Sequence, residues 1–505
     1  MQQLLNPFAQ KYPEAVDSTL PSSANTVRFN PTGPFAGHYL AAGSSDGFVE
    51  VWSVETRGLL RVFEGHVKAI SSISWSRNNR YIATGSLDSI IIIWDLAPLP
   101  NSLLLPLTPH YDSLASNKSQ NAAAAAPMAR RHTIRLDAPV SDAQFHPRNA
   151  GILLVSLGVN EVYLVDLRPG GGKNRVEDVG EIAEPDAEGQ GEGEGSSTER
   201  ERKKATLACA AWSPCGSRIY AGSTQGELLV FDPVSRAVLH RYKVANSGIR
   251  QVAFDPKGQN IILNATDRAL RVLSVHPLTG LLSPLHRFTD LVNRTPWYAI
   301  GFSGDGEYVM GGAGHKMAHN VFIWDKSFGS LVKVLEGPRE SLIDCDWHPT
   351  RPVIASVATS GDIHLWQISS PDNWAAFAPG FEELEENIEY DEREDEFDLE
   401  DETEASRRKD LEEDVDVDVL TPDDTFPRNT EPSIPPTILA ALTSAAAANG
   451  TDANGEMVED NEELRSASLM LSAREWADRE PDDDTWEGFF ISVDLVGKVE
   501  EDGES

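Results

Sequence analysis

Cysteine is scarce, with 3 in 505 residues. Cys209, Cys215 and Cys345 each sit in or beside an apolar, strand-like run, where a small buried thiol is the usual state, so no disulfide framework is expected. No run of about 18 apolar residues occurs, and Met1 to Leu20 shows no apolar stretch behind a basic head, which argues against membrane spanning and secretion. A nuclear or cytosolic address is the expectation, and the Asn-x-Ser/Thr matches at Asn117, Asn264, Asn293 and Asn449 are then chance. Cations are lacking at one end only. Residues 371–505 carry 43 Asp plus Glu against 9 Lys plus Arg, while residues 1–370 carry 36 against 34. The formal charge of −36 therefore belongs to an acidic tail on a near-neutral body.

What the body does contain is a repeat. A short strand ending in an aromatic or branched residue plus a small polar one recurs as Trp52-Ser53, Trp94-Asp95, Val165-Asp166, Phe231-Asp232, Leu273-Ser274, Trp324-Asp325 and Trp366-Gln367. Trp52 and Trp94, Phe231 and Leu273, and Trp324 and Trp366 stand 42 residues apart, the period of a four-stranded propeller blade. Ahead of each lies an apolar strand closed by an aromatic and polar pair, mostly followed by proline, as in Phe29-Asn30-Pro31, Phe145-His146-Pro147 and Trp347-His348-Pro349. Proline cannot donate to a ladder and stops the strand there. A small-residue strand and a turn such as Ser45-Asp46-Gly47, Thr224-Gln225-Gly226 or Thr266-Asp267-Arg268 follow, as tight hairpins require.

Seven such units predict an all-β fold, a seven-bladed WD40 β-propeller, over residues 24–370. A blade cannot bury both faces alone, so the ring must close, and residues 1–23 are expected to do this, with Asp17 to Pro21 pairing outside the strands of the last blade. Gly65-His66 reads as a hydrogen-bonding element inside a blade rather than a catalytic one. Residues 99–131 and 168–204 read as flexible insertions. The alternating glycines of 189–195 follow no strand and are interleaved with glutamates that would repel a pyrophosphate, so they are not a dinucleotide site.

Past residue 370 the repeat stops. Residues 371–420 read as an acidic partner-binding tail and residues 421–505 as a low-complexity acidic extension, both largely disordered in isolation. Apolar islands interrupt the acid: Trp374 to Phe381, Phe397 to Leu399, Val415 to Leu420 and Trp486 to Leu495. Isolated anchors in acidic chain suit a segment that orders when it docks.

The first three of these islands, with Asp290 to Trp297, Phe302 to Tyr308 and the opening Leu4-Leu5-Asn6-Pro7-Phe8, resemble the WD40 subunit of COMPASS, the Set and MLL histone methyltransferase complexes, while Trp486 to Leu495 has no counterpart there. The resemblance covers about residues 1–420. It implies a non-catalytic, nuclear scaffold that binds a SET-domain methyltransferase, a SPRY-domain subunit, a second WD40 subunit and the nucleosome, without membrane contact, in methylation of histone H3 lysine 4. It further implies that Trp374, Phe377, Phe381 and Glu383 lie in a segment activating the SET domain, and that Glu389, Glu392, Phe397, Asp398 and Leu399 dock on the SPRY subunit. Val415, Val417 and Val419 would meet the second WD40 subunit, where an extra Asp-Val repeat departs from the pattern and leaves the register open. Because the family's propeller faces nucleosomal DNA, Arg250, Lys257, Arg268, Arg271 and Arg294 are candidates for phosphate contacts.

An enzyme would need chemistry that this chain does not offer. There is no nucleophile elbow, no phosphate loop leading into a helix and no zinc ligand set, so neither cofactor nor metal is expected. His315 and His319 have a helical ligand spacing but lie in a glycine-rich stretch that reads as a loop. A WD40 histone chaperone or ubiquitin-ligase substrate adaptor is the rival reading, since the fold by itself does not choose.

Overall fold

The computed structural model describes residues 10–33, 35–97, 130–177, 205–289, 296–315, 318–368 and 462–479. Among these are seven four-stranded antiparallel sheets. Blade 1, for example, runs through Ala24–Phe29, Tyr39–Ser44, Phe48–Ser53 and Leu59–Glu64 in order from first to fourth strand. First strands of neighbouring blades lie against each other, so they form the inner wall of the ring.

The apolar core is divided among the seams rather than gathered in one mass. Each of the seven buried clusters joins two consecutive blades: Tyr39, Val51 and Phe63 of blade 1 meet Trp75, Ile82 and Trp94 of blade 2, and so on around to Val357 and Leu365 of blade 7 against Val27 and Leu40 of blade 1. Second strands are buried along their whole length in six of the seven blades, as in Tyr39–Ser44 and Tyr81–Ser86, because sheets cover both of their faces. This explains their small residues. A Cβ on Gly43 would lie 2.6 Å from Cγ2 of Ile70 in the next blade, and one on Gly222 2.7 Å from Cγ2 of Ile249.

One buried polar network shows how a loop is tied to a blade. His66 places Nδ1 3.1 Å from Asp88 and Nε2 2.9 Å from the Thr84 hydroxyl, which also accepts the Trp94 indole N–H at 2.9 Å. Asp88 in turn accepts the backbone N–H of Ile90, so this set ties the loop before blade 2 to its second and third strands.

Closure uses both ends of the propeller chain. Ala15–Leu20 pairs antiparallel with Ile363–Gln367 as the outermost strand of blade 7, whose other strands are Leu342–Trp347 and Ile354–Ala358. Leu20 is buried in the seam between blades 7 and 1, and Ser22 donates to Glu50 at 2.7 Å. On the inner wall, Asp344 accepts from Thr26 at 2.7 Å and from Arg28 at 2.7 Å, while Asp346 accepts the Phe29 backbone N–H at 2.8 Å. Burial disfavours the Arg28 charge, but the carboxylates of Asp344, Asp346 and, across the ring, Asp142 outweigh it and hold its pKa above the ordinary value. Burial pushes Asp346 up to about 6 against the pull of Arg28.

Three readings are corrected here. Arg130 and Arg131 are not the end of an insertion: Arg130–Arg135 is the outermost strand of blade 2. Lys173–Val176 is likewise the outermost strand of blade 3, where Val176 is buried opposite Val162, so the second insertion begins after residue 176. His319 lies in a strand, Ala318–Asp325, which pairs with Tyr308–His315 as a hairpin rather than a loop. Its ring is fully buried and its Nε2 lies 2.7 Å from the Ser356 hydroxyl, which also accepts the Trp366 indole N–H at 2.8 Å.

Two histidines join blades at the turns after first strands. His146 accepts the Arg148 backbone N–H at Nδ1, 3.1 Å, and meets the Gly216 carbonyl of blade 4 at Nε2, 3.1 Å. His348 accepts from Thr350 and Arg351 at Nδ1 and hydrogen-bonds the Gly37 backbone of blade 1. A second ring proton would face those N–H groups. Burial, above all, pushes His146, His348 and His319 down to about 4. Folded rings that bind fewer protons than unfolded ones stabilise the fold fully above pH about 6.5 and progressively less as pH falls toward 4, by up to about 3 kcal/mol each. Asp346 works oppositely, its contribution being lost as pH rises toward 6, but it is a single, partly buried carboxyl and weighs less than three imidazoles. Thermal melts are therefore expected to drop between pH 7 and 5, with a shallower slope in His146→Gln/His348→Gln.

Candidate interaction site

The residues singled out in the tail, Trp374, Phe377, Phe381, Glu383, Glu389, Glu392, Phe397, Asp398, Leu399, Val415, Val417 and Val419, lie outside the described residues. So do Arg294, Leu4 to Phe8, Trp486 to Leu495 and the glycines of 189–195. The remaining basic candidates all belong to blade 5 but do not form one patch. Arg250 starts the first strand, Ile249–Phe254, and Arg268 sits in the hairpin between Asn260–Ala265 and Ala269–Val275, so both are exposed at the same end of the blade. Lys257 lies in the turn at the opposite end of that first strand. Arg271 is already engaged: its guanidinium donates to Asp267 at 3.0 Å, and Arg287, opposite it across the sheet, approaches the same carboxylate at 3.9 Å. The hydrogen bond from Arg271 is the main reason the Asp267 carboxyl is held below its ordinary pKa. Arg250 and Arg268 are thus the better-placed pair.

An interface absent from the sequence expectations lies at blades 3 and 4. Glu462–Asp478 is an α-helix, which corrects the reading of residues 421–505 as disordered for this stretch. The 17 residues contain no Gly, Pro or β-branched side chain, and two glutamates open the helix where its dipole favours negative charge. Its buried face is built of small groups, Ser466, Ala467, Ala473 and Ala477, with Met470 between them. The last turn has no basic residue of its own and ends on Asp478, so the helix alone would leave negative charge at its negative pole.

The propeller supplies the missing cations. Arg148 makes a two-pronged contact with Asp478, Nε to Oδ1 at 2.9 Å and a terminal nitrogen to Oδ2 at 2.7 Å. Asn149 donates to the Ala477 carbonyl at 2.9 Å and Arg168 to the Trp476 carbonyl at 2.7 Å. The Arg168 guanidinium also lies over the Trp476 ring, 5.0 Å from its centroid, while Asp166 anchors its other side at 2.8 Å. Trp476 packs on the cluster joining blades 3 and 4 and meets His146 edge to face, with ring centroids 6.1 Å apart. Carbonyls that a helix end leaves unpaired are here bonded by another element.

Comparison with known proteins fixes the family. The Set1 complex component swd1 of Schizosaccharomyces pombe is 34% identical over 410 residues, spanning 81% of this chain and 92% of that one. The chain belongs to the Swd1 family. The retinoblastoma-binding protein 5 homolog of Drosophila melanogaster is 33% identical over 83% of this chain and 77% of its own, and the COMPASS component SWD1 of Saccharomyces cerevisiae 27% identical over 83% and 92%. Among solved structures, the Cps50 (Swd1) β-propeller domain of Myceliophteria thermophila superposes with a TM-score of 0.56 at 28% identity, covering 70% of this chain and 99% of that domain.

The signature described as WD domain, G-beta repeat, matches residues 18–53, 57–95 and 329–367. Each matched stretch begins on or just before the outermost strand of one blade and ends on the third strand of the next, so every repeat straddles a seam. Because 81% of the chain is more than the 368 residues up to the end of blade 7, the likeness to this Swd1 relative continues past the propeller.

The Asp267 and Arg271 pair is a surface feature with one-quarter of the carboxylate exposed. A double-mutant cycle with Asp267→Ala and Arg271→Ala, read by urea unfolding, is expected to give a coupling below about 1 kcal/mol.

Proposed function

We propose that this chain is the non-catalytic scaffold subunit of a histone H3 lysine 4 methyltransferase complex. The observation that carries this reading is the continuation of the Swd1 likeness beyond the last blade, since a shared propeller alone would support only a common fold. The relatives are named as components of the Set1 complex and of COMPASS, and residues 371–420 have the acid-plus-anchor composition of a segment that orders on its partners. In this reading Trp374, Phe377, Phe381 and Glu383 contact the SET domain. Glu389, Glu392, Phe397, Asp398 and Leu399 engage the SPRY subunit, and two of Val415, Val417 and Val419 enter the second WD40 subunit. The ring holds these segments near one another and near the nucleosome, with Arg250 and Arg268 toward DNA phosphate, in the nucleus.

Such a subunit raises turnover without donating a reacting group. A partner that already holds the acidic segment lowers the ordering cost of fixing a mobile lobe of the SET domain. The rate gain then comes from populating the competent arrangement.

Two measurements check this. Reconstituted methyltransferase with residues 371–420 deleted is expected to lose stimulation on both peptide and nucleosome substrates; full stimulation by the deleted chain would refute the scaffold role of that segment. In binding kinetics with the SPRY subunit, Phe397→Ala is expected to raise the off-rate roughly tenfold or more by removing a buried anchor, while Glu392→Gln mainly slows association and weakens its salt dependence.

A further inference from the structure

We propose that the C-terminal helix is an intramolecular latch: blades 3 and 4 form a receptor for its C-terminal end, and by holding it they present the acidic segment as a loop anchored on the ring at both ends instead of as a free tail. The presentation role rests on the scaffold reading above; the latch itself rests on geometry. The chain leaves the propeller after Ile363–Gln367 of blade 7 and returns at Glu462–Asp478 beside blade 3, three blades farther around the ring.

The receptor is specific for a helix end and not merely for an apolar face. Its polar contacts converge on three consecutive residues, Trp476, Ala477 and Asp478, from Arg148, Asn149 and Arg168, which sit in two turns of the same blade. Asn149 and the Arg168 head are buried or nearly so, and each has a second fixed partner, the Gly151 backbone N–H for the Asn149 carbonyl and Asp166 for Arg168. These groups are therefore set before the helix arrives. The small face from Ala467 to Ala477 lets the helix backbone come close enough for the Asn149 amide to reach a main-chain carbonyl.

The physical consequence is one of effective concentration. A segment tethered at one end samples a volume set by its whole length, whereas one tethered at both ends stays within reach of the ring. Partners that bind the segment are then captured beside the propeller, where a second contact can form without a new bimolecular step.

The test uses the full chain in the reconstituted complex, with Arg148→Asp, Asp478→Arg and the double swap. Each single variant is expected to speed hydrogen–deuterium exchange over residues 462–478 at least about tenfold, and to raise the chain concentration for half-maximal methyltransferase stimulation about threefold or more. The double swap restores both. Exchange over 462–478 at unstructured-peptide rates in the wild-type chain overturns the latch. Freed helix in the single variants with no change in half-maximal concentration overturns the presentation role. Failure of the scaffold reading looks different, since the wild-type chain then gives no stimulation while the helix stays protected.

Discussion

A ring of sheets buries its apolar faces only if the last sheet meets the first, and everything else in this propeller depends on that closure. Each blade has a face toward either neighbour, so one open seam would expose the Leu20, Val27, Val357 and Leu365 layer and leave two sheets with a single covered face. The chain meets the requirement by splitting blade 7 between its two ends, which makes the outermost strand of that blade a staple rather than an ornament. The inner wall of the same seam is held differently, by carboxylates of blade 7 that receive backbone N–H groups and a guanidinium from blade 1. Apolar burial thus secures the closing seam from outside and charge from inside.

Docking the helix follows a related logic on a smaller scale. Its apolar face is too modest to hold it by area alone, since alanine and serine bury little surface. Charged and main-chain bonds at one end add direction, and two of the receptor residues, Arg148 and Asn149, belong to the turn that the His146 ring already braces against blade 4. A rigid seam thereby lends its rigidity to a surface contact.

Much of the ring was legible because its signals are local. The third strands announce themselves by a Trp or its substitute at a 42-residue interval, and the second by small residues that close packing demands. The outermost strands were harder, since one edge faces solvent and their sequences, such as Arg130–Arg135 and Lys173–Val176, have the polar look of a loop; only the pairing partner reveals them. The C-terminal helix escaped notice for a different reason: a stripe of Ser and Ala has almost no hydrophobic periodicity, and the cations that complete its end come from residues more than three hundred positions away. Composition did hold a clue in the absence of helix breakers over 462–478. The basic candidates of blade 5 show a further limit, because whether Lys257 and Arg268 share a face depends on which end of a strand each occupies, and Arg271 is spoken for by Asp267, a pairing visible only once the hairpin is folded.

The staple also has a timing. Ala15–Leu20 leaves the ribosome before any other strand of the ring, while its partner Ile363–Gln367 emerges after six blades have been made. Until then an unpaired edge travels with the nascent chain, and the final sheet waits with its own edge bare. The ring is completed where it began, so that a message interrupted before the last blade yields not a smaller ring but an open arc with two adhesive margins.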